Sequence, residues 1–270
     1  MPDGGALWAT TLRHPNSTST RTVFWPTVVR LDSVGNVVWQ RQYGEPYGEG
    51  NLYTIVPVPD GSYLLTGYQS RPVPGPGYLV SDAWVLRING NGDTLRSRYI
   101  QTGPATTLEI ANSAQLLPNG GVLLGGLVQP GVGTSAPQPA EGWVAWLDSL
   151  DRLRTSYVLP PGSQTGGEVT HALPLAGPDS AVLLTGYHGR TGAYLARYTR
   201  RQGQVQASWS QNVTVPNLGG YSVEHTILAP NQELTLGGMV GSRPPQGVLT
   251  RFVQAGQPYQ PDLCRQPPVP

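Results

Sequence analysis

Histidines and glutamates in the second half of the chain are the side chains best suited to chemistry. His171 follows Glu168 closely, and His225 directly follows Glu224. Imidazoles beside carboxylates serve general acid–base catalysis and metal binding. No nucleophile motif and no further ligand pattern accompanies them, so the sequence favours ligand binding over catalysis or a metal site. The alternative is that these polar residues only line a solvated channel.

These residues belong to a larger set of polar pairs, each lying at a similar distance before a turn of the Pro/Asp/Gly type. The pair Thr170-His171 is separated from its turn by two additional residues. The predicted ligand-binding residues are Tyr53, Thr54, Asn112, Ser113, Thr170, His171, Glu224 and His225. Because neighbouring residues of a strand face opposite sides, the sequence leaves open which member of each pair faces a ligand.

A hairpin that recurs five times positions these pairs. Its copies begin at Pro2, Pro59, Pro118, Pro178 and Pro230, as in PDGSYLLTGY and PDSAVLLTGY. Another strand type follows in phase, from VVRLD at Val28 to LTRFV at Leu249. Four short strands per repeat, with no helical period, predict the blades of a β-propeller.

We name the strands of each repeat A to D, where A precedes the turn and B follows it. The predicted fold is all-β: a β-propeller of about five four-stranded blades over residues 1–256, the first lacking its innermost strand A, and a tail or linker over 257–270. We expect Met1 to be an internal residue of a longer natural chain. The alternative is a ring closed by the carboxyl-terminal tail.

The connections between strands predict where a ligand would bind. The A–B and C–D turns are short, whereas all long irregular segments are B–C or D–A connections. The B–C segments are 13–25, 69–82, 129–142 and 241–247, and the D–A segments are 44–50, 102–107, 160–167 and 212–220. In an up-and-down blade these two classes share one face, which we predict to be the ligand face.

Several recurring residues have simpler structural explanations. Asp32 is predicted to cap backbone N–H groups of its own turn, and the spacing of Asn89, Asn91 and Asp93 fits a hairpin turn better than a calcium loop. An arginine recurs in strand C at Arg30, Arg87, Arg197 and Arg251. We expect these arginines to pack between blades, as we do for the aromatic set Trp84, Trp143 and Tyr194.

Composition excludes several functions. All 17 basic residues are arginines, set against 16 acidic ones, and the net charge of +1 predicts no binding to nucleic acid. No apolar run reaches the roughly 20 residues of a membrane span. Cys264 is the single cysteine and forms neither an internal disulfide nor a zinc site. We predict no cofactor and no metal.

The turn of LDSVGNVVW, with Asp32, Gly35 and Trp39, is followed by Tyr43-Gly44 and then by PDGSYLLTGY. This pattern resembles the approximately sixty-residue repeats of secreted bacterial β-propellers, as in surface proteins with a carboxyl-terminal sorting domain. The resemblance covers Pro2 to about Gly256 and implies a fold and an exported or cell-surface location, but no reaction. Later repeats depart from it, since Asp151 replaces the glycine in the third.

We therefore expect a non-catalytic, monomeric binding or scaffold module outside the cell, with a carbohydrate or another surface protein as its partner. One alternative is a glycan-active hydrolase or lyase, which would need two or three converging carboxylates. Only Glu168 and Glu224 are placed near the predicted site by the sequence. A second alternative is a structural spacer of a larger surface protein.

Overall fold

The structure, a computed structural model, describes most of the chain. The described residues are 3–13, 24–45, 48–72, 79–132, 134, 138–159, 167–175, 181–188, 192–201, 204–213, 221–229, 233–240 and 246–252. The predicted tail 257–270 lies outside them, as do large parts of the long B–C and D–A connections. Within the described ranges, no helix is long and apolar enough to cross a membrane.

The described residues form five antiparallel sheets and no helix. The first sheet contains β1 (Ala6–Arg13), β2 (Phe24–Leu31) and β3 (Val37–Gln42). The second contains β4 (Gly50–Pro57), β5 (Tyr63–Pro72), β6 (Leu79–Ile88) and β7 (Thr94–Ile100). The third contains β8 (Leu108–Leu116), β9 (Val122–Gln129), β10 (Glu141–Leu147) and β11 (Leu153–Val158).

The fourth sheet contains β12 (Glu168–Pro174), β13 (Val182–His188), β14 (Gly192–Arg201) and β15 (Gln204–Val213). The fifth contains β16 (Tyr221–Leu228), β17 (Leu234–Val240) and β18 (Gln246–Phe252). Strands pair in chain order within every sheet, so each of the five described sheets is an antiparallel meander. Among the described residues, the first meander starts at β1.

The chain divides into two compact units. The first unit is Met1–Ala140 with Ala145–Ser156, and the second is Glu141–Val144 with Tyr157–Pro270. The prediction of a single propeller over 1–256 stays a prediction.

Each unit has an apolar core between neighbouring sheets. In the first unit, strands of the first two sheets contribute Val28, Tyr43, Leu52, Leu65, Trp84, Leu86 and Ile88. In the second unit, the fourth and fifth sheets contribute Leu173, Leu183, Ala193, Leu195, Val213, Val223, Leu234 and Leu236. The near-continuous apolar runs of the B and C strands are explained by this packing on both faces. The recurring aromatics Trp84, Trp143 and Tyr194 are fully buried, which confirms their packing role.

The C–D turns are built identically in the first three sheets. Asp32, Asn89 and Asp148 each accept hydrogen bonds through Oδ1 from the backbone N–H groups two and four residues later. The predicted capping role of Asp32 is thus confirmed. The side chain of Asn89 is engaged within its own turn, so the hairpin explanation is also correct there.

The second and third of these turns also contact the sheet before them. Tyr43 donates its hydroxyl to the Gly92 carbonyl (2.7 Å), and Trp39 donates Nε1 to the Gly90 carbonyl (3.2 Å). Arg30 donates to the same Gly90 carbonyl (3.1 Å). This contact confirms that Arg30 packs between sheets.

The same contact recurs between the second and third sheets in an ionic form. Asp151 has φ of 59°, a left-handed conformation occupied by glycine at Gly35 and Gly92 in the other two turns. Its buried carboxylate accepts hydrogen bonds from Arg87 (2.7 Å to Nε, 2.8 Å to Nη2) and from Arg96 (2.8 Å). In the third turn, an aspartate that pairs with two arginines therefore takes the position that a glycine holds in the other two turns.

The strands are longer than the sequence predicts, so the connections are shorter. Segment 69–82 was expected to be a loop, but β5 continues to Pro72 and β6 begins at Leu79. Three polar residues made this segment look like a loop, yet all three are buried in the strands: Gln69, Ser70 and Asp82. Similar extensions place Arg13, Gly50 and Val213 in strands.

Candidate functional site

In each unit, the candidate ligand-binding residues lie where the A strands begin, and their main feature is a recurring β-bulge. The pairing register of β4 with β5 shifts between Leu52 and Thr54, which leaves Tyr53 as the additional residue. The other A strands shift at the equivalent point, and their additional residues are Asn112, Thr170 and Glu224. Each polar pair predicted from the sequence is thus a bulged residue and its successor. Bulges redirect side chains and are frequent beside functional sites.

Glycines in the B strands accommodate the bulges. A Cβ atom at Gly67 would lie 1.8 Å from the Asn51 carbonyl oxygen, and one at Gly186 would lie 1.9 Å from the Glu168 carbonyl oxygen. Only glycine allows the A strand to approach so closely.

In the first unit, the bulges present an aromatic side chain beside polar groups. Tyr53 is 47% exposed, and its ring centroid lies 6.1 Å from that of Tyr68 at a 39° tilt. Partial burial raises the pKa of Tyr68 to about 12. Thr54 donates its hydroxyl to the Asn112 carbonyl oxygen on the next A strand (2.9 Å), while Ser113 is buried. Tyr53 is therefore the most accessible of these predicted residues.

In the second unit, the bulges bring the two histidines together. The ring centroids of His171 and His225 lie 6.3 Å apart, and His225 is exposed. Thr170 donates its hydroxyl to the Thr185 carbonyl oxygen (3.1 Å). Glu168 accepts a hydrogen bond from the Tyr187 hydroxyl, which occupies that carboxylate. The side chain of Glu224 lies outside the described part of the structure.

A carboxylate–arginine cluster in the first unit was missed by the sequence analysis. Asp82 is fully buried and accepts hydrogen bonds from the Arg71 guanidinium and from Gln101 Nε2 (2.9 Å). Arg71 lies near the end of β5, Asp82 lies in the first half of β6, and Gln101 directly follows β7. The available signal was the single acid inside the apolar strand LVSDAWVLRI.

A second buried acid, Glu109, lies at the start of β8. Its Oε1 accepts hydrogen bonds from the backbone N–H groups of Thr102 (2.9 Å) and Gly103 (3.2 Å) and from the Thr102 hydroxyl (3.1 Å). Burial raises the pKa of Glu109, and the charge of Asp82 adds to that effect. Glu109 is 1% exposed, so it contributes to holding the D–A connection and is closed to a large substrate.

Metal-binding capacity is low in the part of the chain that the structure describes. There, no group of three or more His, Cys, Asp or Glu side chains could hold a metal ion. The acids at the site are engaged by hydrogen-bond donors: Asp82 by Arg71, and Glu109 by Thr102 and Gly103. The arrangement is suited to recognising a ligand through an exposed aromatic ring and polar edges.

Comparisons with known proteins bear on the fold. No family model and no curated protein matches this chain. A crystal structure of a protein of unknown function from Dyadobacter fermentans is similar at 13% identity and a TM-score of 0.61, covering 92% of this chain and 75% of that one. The NanB sialidase of Streptococcus pneumoniae, which has a β-propeller fold, is similar at 12% identity and a TM-score of 0.52.

The likeness to NanB covers 87% of this chain but only 38% of the sialidase. At such identity, similarity concerns the fold alone, since one fold carries many functions. The chain has an all-β, β-propeller-like fold.

Proposed function

We propose that this chain is a non-catalytic, exported binding or scaffold module: a β-propeller of five blades whose ligand face carries the B–C and D–A connections. The observation that carries this proposal is the bulge repeated at one position in four A strands. A bulge interrupts the hydrogen bonds between two paired strands, which costs free energy. The repetition of the bulge beside Tyr53 and His171 therefore favours a ligand-binding role over a role in packing alone.

The accessible side chains favour a carbohydrate, or a surface protein, as the ligand. Tyr53 offers one half-exposed ring inclined toward Tyr68, a geometry that suits stacking on a sugar or on an apolar side chain. His225 offers a second exposed ring with hydrogen-bonding nitrogens. No strongly charged surface is needed for such a ligand, in agreement with the net charge of +1.

Catalysis is less well supported. A glycosidase needs two carboxyl groups that reach the same sugar. Asp82 and Glu109 are 0% and 1% exposed, and Glu168 is engaged by Tyr187. A glycan-active enzyme is therefore the second candidate, and a purely structural spacer is the third.

A glycan and polysaccharide array probed with the purified chain tests the proposal. The variants are Tyr53→Ala in the first unit and the double variant His171→Ala, His225→Ala in the second. Tyr99→Ala is the matched control, because Tyr99 is a tyrosine of similar exposure, 40%, on the outer strand β7. We expect binding that Tyr53→Ala or the double variant abolishes and the control retains.

Two outcomes contradict the proposal. If the folded chain binds no glycan and no surface protein, it is a structural spacer. If sugar products are released during incubation and this release depends on Glu109 or Asp82, the chain is an enzyme.

A further inference from the structure

Two B strands carry a tyrosine at the same distance after the Pro/Asp/Gly turn, but the two hydroxyls have different surroundings. Tyr187 pairs across the strands with Glu168 and donates its hydroxyl to that carboxylate. Tyr68 pairs with Asn51 instead, whose Oδ1 accepts a hydrogen bond from the Thr11 hydroxyl (2.6 Å). Among the described residues, the Tyr68 hydroxyl has no hydrogen-bond partner, and solvent reaches it. It can therefore donate to a ligand and accept from one.

A carboxylate lies diagonally across the strands from Tyr68. The ladder between β4 and β5 continues past Gly50 to Glu49, whose carbonyl oxygen accepts from the Ser70 N–H (2.6 Å). Glu49 is therefore opposite Ser70 and diagonal to Tyr68 on one face of the sheet, a separation that long side chains span. Burial raises the pKa of Tyr68, and the nearby Tyr53 hydroxyl and Glu49 carboxylate add to that effect. The negative charge of Glu49 thus acts at the Tyr68 hydroxyl.

An exposed aromatic ring lies beside these two groups. The Tyr53 ring is 47% exposed, and its centroid lies 6.1 Å from that of Tyr68. The two rings are inclined at 39°, so they do not stack flat on each other. The face of a tyrosine ring attracts a cation that lies within about 6 Å of its centroid. A ring face, a hydroxyl and a carboxylate therefore lie together at the start of β4.

The arginine of the same strand does not neutralise this group. Arg71 is three residues from Tyr68, so its side chain is directed to the other face of the sheet. There its guanidinium donates to Asp82, which is fully buried. In the part of the chain that the structure describes, the Glu49 carboxylate forms no ion pair and accepts no hydrogen bond. Its charge is therefore left for a ligand.

We infer that Glu49, Tyr53 and Tyr68 form a subsite for an amino sugar, that is, for a carbohydrate that carries a protonated amine. This inference rests on the proposed function, because it specifies the ligand of the same site. The ammonium group binds to the Glu49 carboxylate and to the oxygen of the Tyr68 hydroxyl, and the sugar ring stacks on Tyr53.

An amino sugar fits this subsite better than a basic side chain does. Ammonium groups only donate hydrogen bonds, so they cannot accept the proton of the Tyr68 hydroxyl. A sugar hydroxyl beside the amine accepts that proton. The carbon-bound hydrogens of the sugar also present a flat apolar surface to the Tyr53 ring. A neutral sugar satisfies both tyrosines but leaves Glu49 without a cation.

Two matched oligosaccharides test this inference on the full chain. One is a glucosamine oligomer, and the other is the N-acetylglucosamine oligomer of the same length, whose amines are neutralised by acetylation. Calorimetry at mildly acidic pH, where the glucosamine amine is protonated, measures the two dissociation constants. We expect the glucosamine oligomer to bind about tenfold more tightly, because only its ammonium groups can pair with Glu49.

Three variants assign the preference to this subsite. Glu49→Gln should abolish the preference, because it removes the charge and keeps the size of the side chain. Its fold should be retained, since Glu49 accepts from Ser70 through its backbone carbonyl oxygen. Tyr68→Phe should weaken binding of the glucosamine oligomer several-fold. Glu45→Gln is the matched control and should leave the preference unchanged, because the Glu45 carboxylate accepts from the Tyr99 hydroxyl (3.3 Å).

This inference and the proposed function fail in different ways. The inference alone is wrong if the two oligomers bind equally, if the preference survives Glu49→Gln, or if other glycans bind and neither oligomer does. Tighter binding of a lysine-rich peptide of the same charge also overturns it, because the ligand is then a basic protein segment. If the folded chain binds neither oligomer, nor the peptide, nor any glycan of the array, the proposed function is wrong as well.

Discussion

The ion triad at Asp151 provides the sharpest test of how the repeats are joined. The Asp151 carboxylate is 1% exposed, and it receives three hydrogen bonds from the Arg87 guanidinium and one from Arg96. The perturbation is Asp151→Asn. Asparagine has nearly the same volume and tolerates the left-handed φ of 59°, so the change removes the charge and little else.

The expected cost follows from burial. Removing one partner of a buried ion pair costs about 3–5 kcal/mol, because the remaining charge is left without compensation. The Arg87 side chain is 10% exposed and that of Arg96 is 30% exposed, so water compensates part of the charge. We expect a loss at the lower end, about 3 kcal/mol, which lowers Tm by roughly 6–12 °C for a unit of this size.

Urea unfolding followed by tryptophan fluorescence measures the loss, with Asp93→Asn as the matched control. Asp93 also pairs with an arginine, Arg41, at 2.7 Å, but both side chains are about half exposed. Surface pairs contribute little. The control variant should therefore unfold at nearly the urea concentration of the unmodified chain.

A double variant distinguishes the uncompensated charge from a general packing defect. Adding Arg87→Met to Asp151→Asn removes the more deeply buried guanidinium, and stability should recover in part. The reasoning is refuted if Asp151→Asn costs no more than Asp93→Asn, or if the losses of the two single variants simply add.

Three further predictions concern backbone approach and pH. Gly67→Ala should lower the free energy of unfolding, measured in urea, by about 1–3 kcal/mol or more, because its Cβ would lie 1.8 Å from the Asn51 carbonyl oxygen. Gly90→Ala is the control and should lower it far less, because a Cβ there meets nothing within 4 Å. Burial raises the pKa of Glu109 above its unfolded value, so the free energy of unfolding should decrease as pH rises from about 4.5 toward neutral. In Glu109→Gln this decrease should be absent, as measured by urea midpoints over a series of pH values. Hydrogen bonds from its own turn lower the pKa of Asp148, so the contribution of Asp148 to stability is lost as pH falls through its folded pKa. Asp148→Asn should keep the turn at pH 7, as Asn89 does, and should make stability less sensitive to acid. If the stability of this variant falls in acid as steeply as that of the unmodified chain, the prediction is wrong.

The sequence predicts the hairpins of the meanders well, because they depend on local patterns. Turn residues determine the hairpins about Gly61 and Gly35. The polar pairs are located by counting back from the Pro/Asp/Gly turn, the type that contains Gly61. The polar pairs coincide with four β-bulges, which no sequence pattern predicts. A bulge depends on the register of two strands, and only the paired strands reveal it.

The accessibility of the site was decided by tertiary structure. Of one predicted pair, Tyr53 is half exposed; of another, Ser113 is buried. The same holds for Asp82, a polar residue in a segment predicted to be a loop that the structure places in a buried strand. Local polarity indicates a loop, but burial depends on which distant residues cover the strand.

The hairpin turns follow from the sequence by itself, because each is a requirement of the local backbone. Only the tertiary structure decided that Asp151 joins Arg87 and Arg96, and that Trp8 in β1 is exposed. Those outcomes depend on which residues, distant along the chain, come to lie beside each side chain. A repeated sequence pattern specifies each sheet, but the contacts of a given copy are set by its neighbours.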